Sequence, residues 1–251
     1  MTIHSELDET IFLRTVDSTN LEARRRRADF ANRNVLFVSD EQKGGLGQKG
    51  RHWESSANLG IWMSLLLARP STLSHSPRLL SLYAGTVLHK TVARFVEADI
   101  RLKWPNDIII DSLKCGGVLS EIQWQGYSPI SAIIGMGINL KHTSEDFSPS
   151  IRNSATSLRI AGWHNPDRTD FLNYFIEDFF QQLKMLDNPD ALIAQWNDLA
   201  YKLNEQVQWE TKDSIIDGQF LGINRSGEAL IRIEGKIHNF QNGEIRLVNP
   251  V

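Results

Sequence analysis

Short apolar runs bounded by turn residues alternate along this chain with a few longer stretches of helical period, and their order predicts the architecture. Residues 11–14 and 35–39 read as strands flanking a helix over 17–30, which opens with Thr19 and Glu22 at capping-box spacing. Residues 60–67 are a further strand. Pro77 suits the first turn of a long helix whose apolar face is Leu79, Leu80, Tyr83, Val87, Val92, Phe95 and Val96. Residues 101–104, 108–110, 114–124 and 130–140 then form an antiparallel series, turned by Pro105-Asn106-Asp107, Asp111-Ser112 and 125–129. A polar segment over 144–157 predicts loop or 3₁₀ turn, and helices follow over 169–186 and 189–204. Hairpins with helices before and after them make an α+β fold, with a mixed, largely antiparallel sheet packed with helices.

The period changes at Glu205. Residues 206–210, 215–223, 228–234, 236–241 and 244–248 are five short strands, with Arg225-Ser226-Gly227, Glu234-Gly235 and Asn242-Gly243 as turns. The expected division is a large domain over 1–204 and a small SH3-like all-β barrel over 205–251. No low-complexity linker separates them, which predicts close packing.

Composition narrows the function. With 251 residues, 41% hydrophobic, 23% charged and a formal net charge of −3, the chain has no bulk attraction for nucleic acid or membrane. Arg24 to Arg27 lie at 100° steps around their helix, so they spread over its circumference instead of forming a basic stripe. A single cysteine, Cys115, excludes an intramolecular disulfide, and the histidines form no i, i+4 pair that would hold zinc. The start of the chain lacks signal-peptide character and the apolar run over 61–68 is too short to span a bilayer, so a cytoplasmic protein is expected.

Candidate chemistry concentrates in Glu41 to Trp53. Gly44, Gly45, Gly47 and Gly50 expose backbone amides, while Lys43, Lys49 and Arg51 surround them with charge, a composition suited to closing over a phosphate. Gly45 to Gly50 also satisfies G-x-G-x-x-G, yet no apolar helix follows and no acidic residue occurs between Glu54 and Glu97, which argues against a dinucleotide fold. A Walker loop fails for want of Gly-Lys-Ser/Thr; a charged surface loop without function is the plain alternative.

A second cluster is Lys103-Trp104-Pro105-Asn106-Asp107, followed by Lys114-Cys115-Gly116-Gly117, where glycines let a ligand approach the backbone. Antiparallel pairing would bring Asp107 and Lys114 together. Gly135-Met136-Gly137-Ile138-Asn139 again ends a small-residue strand on a polar side chain. Ser18, Thr19 and Asn20 could cap a helix or face a ligand at its positive end.

These motifs, in this order, resemble the biotin protein ligases, which activate biotin as an adenylate and attach it to a lysine of a carboxyl-carrier domain. The likeness runs through Asp17 to Asn20, Gln42 to Trp53, Ala57-Asn58-Leu59, Lys103 to Asp107, Lys114 to Glu121 and Gly135 to Asn139, and extends to the small barrel. It implies that Ser18, Thr19, Asn20 and Gln42 line a biotin pocket, with Gly45, Leu46, Gly47 and Gln48 closing over it and Lys114, Gly116 and Gly117 beside it. Arg51, Trp53, Lys103, Asn106 and Asn139 would serve ATP or its adenylate. Lys114, Asp107 and Arg51 would be the catalytic group. ATP, magnesium carried on its phosphates near Asn106 and Asp107, and biotin are implied as ligands, with no metal held by a protein cluster and no redox cofactor. The implied partner is a biotin carboxyl carrier protein; DNA and membrane are not, and the chain would be a monomer or homodimer.

Two departures stand out. The family loop usually carries arginines where this chain has Leu46 and Gln48, which predicts weaker retention of the adenylate. About sixteen residues precede the Ser-Thr-Asn motif, which implies a ligase without the DNA-binding domain of bifunctional members. The alternatives are a lipoate or octanoyl ligase or transferase of the same fold, and a nucleic-acid-binding protein without catalysis.

Overall fold

The computed structural model describes residues 4–68 and 77–247. Seven strands make the large sheet: β1 (Glu9–Leu13), β2 (Asn34–Ser39), β3 (Gly60–Leu67), β4 (Ile100–Lys103), β5 (Asp107–Ile110), β6 (Leu113–Gln125) and β7 (Ser128–Asn139). Their order is β1-β2-β3-β7-β6-β5-β4. Only β1 and β2 run parallel, because the helix α1 (Thr19–Arg26) crosses between them; every other neighbouring pair is antiparallel.

The runs Asn34–Ser39 and Gly60–Leu67 are apolar without alternation because both faces of their strands are covered. Leu36, Val38, Ile61, Met63, Leu65 and Leu67 face α2 (Pro77–Val92) and α3 (Arg168–Gln181) in the main core. Val35, Phe37, Leu66 and Ile133 meet Ala23 and Phe30 on the other face. Asp178, buried on α3, is held by Lys90 at 2.7 Å and Arg94 at 3.0 Å.

Three expectations change. The capping box at Thr19 and Glu22 does not form: Ser18 is the N-cap without a side-chain bond, and both the amide and hydroxyl of Thr19 donate to Gln42 Oε1, at 2.8 and 3.1 Å. Phe95 and Val96 lie beyond the end of α2, with Phe95 stacked on Trp163 at 3.8 Å. The last helix, α4 (Pro189–Asp198), stops short of 204 because backbone at Leu199 and Tyr201 bonds to Leu102 of the edge strand β4. Three of the four arginines take different partners: Arg24 pairs with Glu121, Arg25 with Asp17 and Glu22, and Arg26 covers the Phe30 ring.

The second sheet has the order β11-β10-β9-β8-β12, formed by β8 (Gln206–Glu210), β9 (Ile215–Ile223), β10 (Ala229–Ile233), β11 (Lys236–Phe240) and β12 (Glu244–Ile245). The far end of the last expected strand, at Val248, lies outside the described residues. Val207, Trp209, Phe220 and Ile231 join the same core as the large sheet, and Trp209 lies 5.2 Å from Trp104 at the β4–β5 turn. Close packing therefore follows from shared aromatic burial. Among the described residues, no helix is long and apolar enough to cross a membrane.

Candidate active site

One cleft opens on the sheet face that carries α1, and it gathers most of the predicted residues. Its floor is the start of α1. Ser18, Thr19 and Asn20 are buried, and Ser64 of β3 reaches up between Thr19 and Asn20, with its Oγ 2.7 Å from Thr19 Oγ1 and 2.5 Å from Asn20 Oδ1. Gln42 accepts from Thr19 and donates through Nε2 to Ser55 Oγ at 2.9 Å, tying the floor to the end of the glycine loop.

The loop itself folds back as a small hairpin. Gly47 N donates to Arg51 O at 2.7 Å across a 3₁₀ turn at Gln48–Gly50, in which Lys49 and Gly50 take φ of 57° and 73°. Leu46, Gly47 and Gln48 line the cleft. Gly45 does not. A Cβ there would lie 2.6 Å from Trp53 O, so Gly45 lets the two limbs of the loop touch. The Trp53 indole lies over bare backbone of the sheet, where a Cβ on Gly137 would come within 2.6 Å of it, and its buried Nε1 has no hydrogen-bond partner among the described residues.

Asp107 and Lys114 meet as antiparallel pairing predicts, at 2.7 Å. Lys103 approaches the other Asp107 oxygen at 3.3 Å, but from beneath: it is buried and does not reach the cleft wall. Burial pushes the Asp107 carboxyl up, and the charges of Lys114 and Lys103 more than offset this, leaving it below the usual carboxylate range. Asn106 donates to Val118 O and accepts from its amide, which pins the turn to β6.

Gly116 is the third expected site residue, after Gly45 and Lys103, that does not line the cleft. A β-bulge at Cys115 shifts the register between Ile108 and Ile109, so Cys115 and Gly116 both turn to the core, where a Cβ on Gly116 would strike Ile138. Lys114 and Gly117 then share the cleft face. Strict alternation would have paired Lys114 with Gly116.

Sequence reasoning missed two contributors. Glu244 of β12 lines the cleft from the small sheet, pairing with Arg51, with Lys49 at 3.5 Å and with Lys103 at 3.6 Å. Burial raises its carboxyl, but the Arg51 hydrogen bond and the three cations hold it down at about 2. The other is the 144–157 segment, read only as loop. Ser154 O accepts from Lys114 N, Thr156 N donates to Lys114 O, and Phe147, Ile151, Ser154 and Ala155 form the far wall beside Asn139. His142 stacks on Phe147 at 4.8 Å, and burial keeps its imidazole below the ordinary value. No sequence pattern marks either contribution; both arise from chain returning after long excursions.

The described residues hold no cluster of histidine, cysteine and carboxylates able to bind a metal, and the Asp107 carboxylate is taken up by two lysines. The protein side of the cleft therefore does not fit a resident magnesium ion.

Residues 12–139 match the model of the Biotin/lipoate A/B protein ligase family. The chain belongs to this family. Within it, the chain is 30% identical over 240 residues to the bifunctional ligase/repressor BirA of Bacillus subtilis, spanning 94% of this chain and 73% of that one. It is 27% identical over 227 residues to the biotin--[acetyl-CoA-carboxylase] ligase of Paracoccus denitrificans, covering 88% of this chain and 92% of the relative. A solved biotin protein ligase from Aquifex aeolicus in complex with biotin and ATP superposes with a TM-score of 0.79 at 27% identity, covering 97% of this chain and all of the other. The matched residues run from within β1 to the last residue of β7, so they take in the large sheet and the cleft residues it carries.

Proposed function

We propose that this chain is an ATP-dependent biotin protein ligase, forming biotinyl-AMP from biotin and MgATP and then transferring biotin to a lysine of a carboxyl carrier protein. The observation that carries the reading is one cleft in which a polar floor, a buried-edge lysine and a glycine loop converge, in a chain similar over nearly its whole length to a ligase solved with biotin and ATP.

In the first step the biotin carboxylate attacks the α-phosphorus and pyrophosphate leaves. Lys114 and Arg51 supply charge for the phosphoryl oxygens, and the amides of the Gly45–Gly50 hairpin close over them. Trp53 and Leu46 shield the mixed anhydride from water. Asn139 and the 147–155 wall take the adenosine side. Magnesium arrives on the ATP phosphates as part of the substrate.

In the second step the carrier lysine, as its neutral amine, attacks the acyl carbon, AMP leaves, and the protons of the amine pass to solvent water. A carboxylate held below its usual range binds an ammonium well and takes its proton poorly, so Asp107 orients the incoming lysine. An acyl-transferase mechanism through cysteine finds no support: Cys115 is buried and its thiol is pushed up by burial. Biotin-dependent exchange of pyrophosphate into ATP tests the reading; exchange supported by lipoate or octanoate instead would overturn it.

A further inference from the structure

Asn20 is held on three sides. A Cβ on Gly135 would lie 2.1 Å from its Oδ1, so the amide sits directly on the bare backbone of β7. Its Nδ2 donates to Glu121 Oε1 at 3.2 Å, and Glu121 is itself anchored by Arg24 on α1. On the opposite side Ser64 Oγ lies 2.5 Å from Oδ1.

These partners leave the amide one orientation. An ionised carboxylate only accepts, so the nitrogen of Asn20 must face Glu121 and its oxygen must face Ser64. The oxygen cannot donate, so the single Ser64 proton belongs to it. Thr19 gives its own proton to Gln42 Oε1 at 3.1 Å, so at 2.7 Å Ser64 meets the lone-pair side of the threonine hydroxyl. With the Ser64 proton held by Asn20 and its own proton held by Gln42, the Thr19 oxygen keeps lone-pair capacity for the cleft.

We infer that Glu121, which does not itself line the cleft, is a positioning residue that sets the donor and acceptor polarity of the cleft floor through Asn20, Ser64 and Thr19. A floor that presents an acceptor selects a head group that offers N–H, as a cyclic urea does, over a plain acyl chain or a cyclic disulfide. The inference rests on the proposed biotin-ligase reading and deepens it.

Exchange of pyrophosphate into ATP by the wild type, with biotin and with ATP varied in turn, carries the functional reading. The variants carry the inference. Glu121→Gln can donate where the carboxylate accepted, which permits the Asn20 amide to turn over; the KM for biotin rises about tenfold while the KM for ATP stays within about twofold. Asn20→Asp sets two carboxylates face to face and weakens biotin by about a hundredfold or more. Combining it with Glu121→Gln restores a donor opposite an acceptor and recovers at least about tenfold of that loss. A structural prop would give no such rescue. An active wild type whose double variant is no better than Asn20→Asp, or a Glu121→Gln that weakens ATP as much as biotin, overturns the inference and leaves the ligase reading standing. Exchange by the wild type that ignores biotin overturns both.

Discussion

Glu244, on the last strand of the small sheet, takes the guanidinium of Arg51 in the glycine loop. The same carboxylate reaches Lys49 and Lys103, so one acidic side chain joins the loop, the small sheet and the ion pairs under the cleft. Arg51 is well exposed, and such a pair contributes about 1 kcal/mol or less. In Glu244→Gln the ligand-free loop should open more often, and tryptic cleavage after Lys49 and Arg51 should rise about threefold to fivefold. Unchanged cleavage would show that the loop is held by its own backbone bonds alone.

The same residue has a pH signature. Its carboxyl is depressed in the folded protein, so the stability it contributes is present above the ordinary value of 4.5 and is lost as the pH falls toward about 2. The difference in Tm between wild type and Glu244→Gln should therefore shrink as the pH is lowered through that window. A difference that widens on acidification would mean the opposite sign of coupling.

Lys114 and Asp107 should separate the two half-reactions. Lys114→Ala is expected to lower biotin-dependent pyrophosphate exchange by about a hundredfold or more, because it removes charge aimed at the phosphoryl oxygens. Asp107→Asn spares exchange and slows transfer from supplied biotinyl-AMP. The asparagine variant is the one to measure, because Asp107→Ala leaves the buried Lys103 ammonium with only the longer 3.6 Å pairing to Glu244 and no hydrogen-bond partner at position 107, a loss expected to cost about 3 kcal/mol of stability. Equal transfer rates in Lys114→Ala and Asp107→Asn would remove Asp107 from the second step.

Leu46 and Gln48 line the cleft without charge. Replacing both with arginine should slow release of biotinyl-AMP by about tenfold for each charge-assisted bond that forms. Stopped-flow displacement of the adenylate reads this directly, and identical off-rates would show that the arginines are not what retains it.

Cys115 lies buried at the bulge, beside Lys114 but on the other face. Native protein should resist iodoacetamide, and Cys115→Ala should keep pyrophosphate exchange within about twofold, since deleting one buried sulfur is a small packing change. Loss of exchange on thiol modification would point to a covalent intermediate.

Much of this was legible in the residues. Short apolar runs bounded by turn residues located the strands of both sheets, and turn chemistry fixed the hairpin that brings Asp107 to Lys114. What escaped is tertiary. Thr19 and Glu22 have the spacing of a cap, but the Thr19 hydroxyl finds Gln42, 23 residues away. Local hydrogen bonding lost to a long-range partner. Gly45 and Gly116 looked like ligand glycines and instead permit close backbone packing. Lys103 looked like a cleft residue and lies beneath Asp107. Glu244 has an ordinary setting in the chain and acquires its place only when the small sheet docks.

The bulge at Cys115 makes the length of β6 a matter of parity. With one residue fewer, Lys114 would fall into phase with the strand's inward positions and drive its ammonium among Ile108, Ile138 and their neighbours. Side chains around it can be exchanged for others of similar size, but a single-residue deletion or insertion between Lys114 and Gly117 inverts which face bears the charge. The strand tolerates spelling changes and not a change in count.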